Sequence, residues 1–150
     1  MPSTWILVAD SSKARLFGTD SPTGAIREID TFEHPAGRAH VRDLTTDLPG
    51  RAFDSGGQGR HAMEREVDPK AHEARVFAKT LAVRLDAAHA RGELKHLVLV
   101  APPDFLGLLR DALSTETRRV VELTLDKHLV KLDAADIRAR LPDRLYSSLS

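Results

Sequence analysis

The chain has 150 residues, 22 Lys and Arg against 22 Asp and Glu, and no cysteine. That length points to one domain over residues 1–150, long enough to bury a real core. A formal net charge of zero argues against a protein built to grip duplex DNA, and the missing cysteines exclude disulfides, thiol catalysis and thiolate metal sites.

The first residues carry no basic stretch, and the apolar run Trp5, Ile6, Leu7, Val8, Ala9 is shorter than the core of a signal peptide. No apolar run approaches the roughly 20 residues that span a bilayer. A cytoplasmic protein without membrane insertion is the expectation.

The same run reads as a first strand, ended by the turn formers Asp10, Ser11 and Ser12. Residues 14–18, with Leu16 and Phe17, read as a second strand. Pro22, Thr23 and Gly24 make a turn, and Ile26, Ile29 and Phe32 mark a third strand. Turns this close imply an antiparallel meander. Residues 34–67 then hold five of the nine glycines and no periodic pattern. Irregular segments longer than about 12–15 residues are uncommon inside compact domains and are usually functional or disordered.

Asp68 and Pro69 open a helix as N-cap and first helical residue. Ala74, Phe77, Leu81, Leu85 and Ala88 recur at spacings of three and four, giving one apolar face. Arg91 and Gly92 close it. The unbroken apolar run at 97–101 reads as a central strand covered on both faces. Pro102 and Pro103 stop it and start a helix carrying Phe105, Leu109, Ala112 and Leu113. A further helical turn at 114–119 leads to a fifth strand marked by Val120, Val121, Leu123 and Leu125. Asp133 caps the last helix, with Leu132 and Ile137 spaced as a hydrophobic staple, and Leu141-Pro142 ends it.

The order β-β-β-α-β-α-β-α predicts an α/β fold: a five-stranded mixed sheet with helices on its faces, ribonuclease-H-like in arrangement. Nucleases of that fold hold two Mg²⁺ ions with carboxylates, and Asp10, Glu73, Asp104 and Asp133 or Asp136 fall at loosely corresponding places. Simpler roles compete for each. Asp10 sits at a serine turn, while Asp104 and Asp133 stand at helix starts.

The irregular segment contains Gly56-Gly57-Gln58-Gly59-Arg60-His61, with Glu64 beyond. Glycines without Cβ atoms reach positive φ and can enter a crowded site. Gln58 donates and accepts hydrogen bonds but is no base, so it could orient a water while proton transfer came from elsewhere. Arg60 and His61 adjoin glycines whose N–H groups could form an anion nest. His61 and Glu64, with His72, do not complete a zinc spacing, so neither metal nor cofactor is expected. Arg38, Arg42, Arg51 and Arg60 are nearly balanced by Asp43, Asp47 and Asp54.

Gly-Gly-Gln is the signature tripeptide of translation release factors, and the chain resembles the middle domain of archaeo-eukaryotic class I release factors. There the tripeptide, matched here by Gly56-Gly57-Gln58, lies between the third strand and the long helix and promotes peptidyl-tRNA hydrolysis. More narrowly, Arg60-His61-x-x-Glu64 together with "APPDFLGLLR" at 101–110 resembles the bacterial family named "protein required for attachment to host cells", over nearly the whole chain. The resemblance implies a ribosome- or tRNA-associated module. Two departures from the release factors weigh against hydrolysis. Pro69 lies eleven residues after Gln58, and Arg60 and Arg65 are offset by Glu64 and Glu66, so little counterion release on RNA is available. The expectation is noncatalytic binding centred on Gly56, Gly57, Gln58, Gly59, Arg60, His61 and Glu64. Codon-independent peptidyl-tRNA hydrolysis through Gln58 is the alternative, and an Mg²⁺-dependent nuclease the third reading. An edge strand or helix face leaves a homodimer open.

Overall fold

A computed structural model describes residues 2–34 and 69–146. Its strands are β1 (Thr4–Ala9), β2 (Lys13–Thr19), β3 (Arg27–Glu33), β4 (His96–Val100) and β5 (Val121–Leu125). Its helices are α1 (Pro69–Ala90), α2 (Pro103–Ala112), α3 (Thr115–Arg118) and α4 (Ala134–Ala139).

They build a five-stranded sheet in the order β3-β2-β1-β4-β5. β1 pairs antiparallel with β2 and β2 with β3, whereas β4 runs parallel to both β1 and β5. This mixed sheet has the strand order and directions of the ribonuclease-H-like arrangement. Direction follows from the connections: short turns can only reverse the chain, and the parallel pairs are joined through helices.

The central strands are buried on both faces because their apolar runs leave no polar side to show water. Trp5, Leu7 and Ala9 of β1 and Leu97 and Leu99 of β4 face one core, covered by Phe77, Leu81 and Leu85 of α1 and Phe105 and Leu109 of α2. Ile6, Val8, Val98 and Val100 face a second core, closed by Leu129, Val130, Ile137, Leu141 and Leu145. Each Val, Leu, Ile or Phe side chain among these contributes about 1.5–3 kcal/mol when fully buried.

The ends of the elements follow local chemistry. Gly92 adopts φ 81°, which ends α1, since a side chain there would be strained. Pro103 starts α2 where no N–H is needed. Asp133 accepts the N–H of Asp136 to cap α4, with Leu132 packed into the same core as the buried Ile137. The Asp68 cap expected for α1 lies outside the described residues. One expectation changes in detail: of Ile26, Ile29 and Phe32, expected to mark the third strand, only Ile29 and Phe32 lie within β3. Ile26 is buried before the strand begins, Ile29 is 38% exposed, and Phe32 packs against the first core. A spacing of three does not match the two-residue period of a strand, and β3 is an edge whose register with β2 shifts at Leu16 and Phe17.

Candidate functional site

Parallel strands β1, β4 and β5 end on the same edge of the sheet, and α2 begins there directly after β4. Open α/β sheets commonly bind ligands just beyond the carboxyl ends of their strands. Here that end holds a cleft of about 690 Å³ between the first turns of α1 and α2. Its apolar wall is made by Ala71 and Ala74 on one side and Phe105 and Leu108 on the other. Lys70, Arg75, Asp104, Asp10 and His128 are its charged or titratable groups.

Asp10 is the best-fixed of these. Its Oδ1 accepts the backbone N–H of Ser12 at 2.9 Å, that of Lys13 at 2.9 Å, and the Ser12 hydroxyl at 3.2 Å. Its Oδ2 lies 3.1 Å from Nε2 of His128. Partial burial pushes the carboxyl upward, but the Ser12 and Lys13 N–H groups, His128 and the Ser12 hydroxyl outweigh it and hold Asp10 below its ordinary value. An ionised Asp10 can only accept, so His128 donates through Nε2. No described residue bonds its Nδ1.

His128 reaches this place because the segment after β5 is fastened down. Leu129 and Val130 are buried in the second core. Arg15 donates to the carbonyl of Val130 at 2.9 Å and also to that of Leu132. The other side of the Arg15 guanidinium pairs with Glu28, at 3.0 and 3.2 Å. That bond leads the influences holding the Glu28 carboxyl below its ordinary value.

A second anchor lies on the other flank. The His34 N–H donates to the carbonyl of Ser12 at 2.9 Å, its Nε2 lies 2.7 Å from Glu73 Oε1 on α1, and its ring stacks on Phe77. The chain therefore leaves the described part beside Ser12 and returns at Pro69, next to the cleft residue Lys70. Both junctions of the intervening segment lie at this end of the sheet.

Gly56, Gly57, Gln58, Gly59, Arg60, His61 and Glu64 fall outside the described residues, as do Arg38, Arg42, Arg51, Asp43, Asp47 and Asp54. Of the acids suggested by the nuclease analogy, Asp10 and Asp104 share the cleft. Glu73 is engaged by His34, and Asp133 caps α4. Among the described residues no three His, Asp or Glu side chains gather closely enough to hold a metal ion. Sequence reasoning missed His128 and His34 as site residues. The position of His128, just beyond a parallel strand, was the available signal; nothing local marks His34.

The sequence pattern of a family described as "Protein required for attachment to host cells" matches residues 5–141. Among solved structures the chain is similar to an archaeal translation termination factor, aRF1, with a TM-score of 0.41 and 12% identity, over 93% of this chain. The alignment spans 35% of that factor's length. Among curated proteins none matches.

Proposed function

We infer the function of this chain starting from its family: it belongs to the proteins required for attachment to host cells, and it acts as a noncatalytic binding module for an RNA-bearing partner, the ribosome or tRNA. The observation that carries this reading is the convergence of both junctions of the 35–68 segment on the cleft at the carboxyl end. His34 is tied to Ser12 and Glu73 on one side, and Pro69 and Lys70 open α1 on the other. Gln58 is thereby tethered to the cleft by eleven residues of chain, at most roughly 36–40 Å at full extension. Gly56, Gly57, Gln58, Gly59, Arg60, His61 and Glu64 are the proposed contact run, with Arg60 and His61 meeting phosphates.

Two features of that run support binding without hydrolysis: Arg60 and Arg65 are offset by Glu64 and Glu66, and Gln58 stands eleven residues before Pro69. The rival, codon-independent release of peptide from tRNA, makes a different prediction in the same assay. Purified protein is added to stalled ribosomes carrying peptidyl-tRNA, and both cosedimentation and freed peptide are measured. The proposed function predicts cosedimentation that weakens with salt and in Arg60→Ala, with no peptide freed. Peptide release that disappears in Gln58→Ala would replace the binding module with a hydrolase.

A further inference from the structure

We propose that the cleft between α1 and α2 seats a nucleoside monophosphate unit. The inference deepens the reading of this end as the working face, and rests on it only for the source of that unit. A volume of about 690 Å³ is within the roughly 300–1,000 Å³ typical of small-molecule sites. Its composition also fits that class: apolar walls with a few convergent polar groups.

Three chemical features select the ligand. The first is a slot. Ala71 and Ala74 lie three residues apart on α1 and so share a face, and their small side chains leave space opposite Phe105 and Leu108, likewise three apart on α2. The Phe77 and Phe105 rings, with centroids 5.9 Å apart, close the core beneath. Such a slot suits the flat faces of a base. The second is positive charge. Lys70 and Arg75 flank the two alanines on neighbouring helical rows, where they can meet a phosphate. His128 joins them, with Nε2 held by Asp10 and Nδ1 facing no described partner. Protonated, it donates Nδ1–H to a phosphate oxygen. The third is an acceptor. Asp104 makes no hydrogen bond or ion pair to another described residue, and it lines the same cleft. A carboxylate beside a phosphate site repels a bare anion but accepts from hydroxyl groups, which a ribose supplies.

Asp10 is a positioning residue here. Its carboxylate is engaged by the turn N–H groups and the imidazole, so its charge is spent on orienting His128 rather than facing the ligand. A free nucleotide and the terminal nucleotide of an RNA chain offer the same unit.

The test is calorimetric titration of the full chain with adenosine monophosphate, adenosine and inorganic phosphate, followed by competition with a short 5′-phosphorylated oligoribonucleotide. The proposal predicts that the monophosphate binds at least about tenfold more tightly than either fragment. It predicts a loss of about tenfold or more in Arg75→Ala, an exposed position whose replacement leaves the core intact. Asp10→Asn weakens binding in the presence of His128 and has no further effect in His128→Ala, which a merely structural role would not produce. Displacement by the oligonucleotide upholds the site with RNA as its source, and failure to displace upholds it with a free nucleotide. Monophosphate binding no tighter than adenosine, or unchanged in both Arg75→Ala and His128→Ala, overturns it. Intact monophosphate binding in a protein that ignores ribosomes and tRNA overturns the proposed partner and leaves the cleft assignment standing.

Discussion

Replacing Asp10 tests whether the turn between β1 and β2 is the fixed point of the site. The carboxylate accepts from two backbone N–H groups, one hydroxyl and one imidazole, and its side chain is 19% exposed. Hydrogen bonds to a charged acceptor are worth about 1.5–3 kcal/mol each when sheltered. At a half-open turn water replaces part of that, so Asp10→Ala is expected to cost about 2 kcal/mol in total. For a chain of this size that lowers the melting temperature by about 4–8 °C. Asp10→Asn keeps an acceptor for the turn but sets an NH2 donor against the Nε2–H of His128, so that bond and the charge are lost and about 1 kcal/mol is expected. Urea denaturation at several pH values checks both. Asp10 titrates lower in the folded protein than its ordinary 3.8. Its contribution is therefore fully present above that value and is lost as pH falls through the lower folded one, so the gap between wild type and Asp10→Asn must close in acid. Equal stability of Asp10→Ala and wild type near neutrality, or a gap that widens in acid, refutes the reasoning.

Three further predictions concern the supports of the site. Arg15→Gln removes the clamp on the Val130 and Leu132 carbonyls; a loss of about 1–3 kcal/mol is expected, and Glu28 should titrate higher, toward its ordinary value, by NMR. Gly92→Ala places a side chain at φ 81° and is expected to cost about 1 kcal/mol by thermal melting, although nothing crowds the space around it. His34→Ala deletes the stack on Phe77 and the bond to Glu73; hydrogen exchange should speed up in the first turns of α1 while the β1 and β4 amides stay protected.

Much of the architecture was legible because its signals are local and periodic. The runs at 5–9 and 97–101 are apolar without interruption and bounded by turn formers, as buried strands are, and the three-and-four spacing from Ala74 to Ala88 fixes the buried face of α1. Asp133, Pro103 and Gly92 announced helix ends through the chemistry of caps. β3 was read less well, since an edge strand needs little apolar alternation and Ile26 gives its side chain to a core before the strand begins. The site was legible only in part. Asp10 was visible as a turn former, but its bond to His128 joins residues 118 positions apart. Likewise, the link from Arg15 to Val130 depends on which face of β2 the tail of the chain crosses, and no local pattern records that. The Gly56-Gly57-Gln58 run is the reverse case: prominent in sequence, and outside the described residues.

The central claim is that the carboxyl end of the sheet receives an RNA-bearing partner. Cosedimentation with ribosomes and with tRNA, comparing wild type, Arg75→Glu and Arg118→Glu, tests it most directly. Arg75 lines the cleft, whereas Arg118 ends α3 near the amino end of β5. The account predicts that wild type and Arg118→Glu are retained at low salt while Arg75→Glu is lost. No retention of the wild type, or equal loss in both variants, contradicts it.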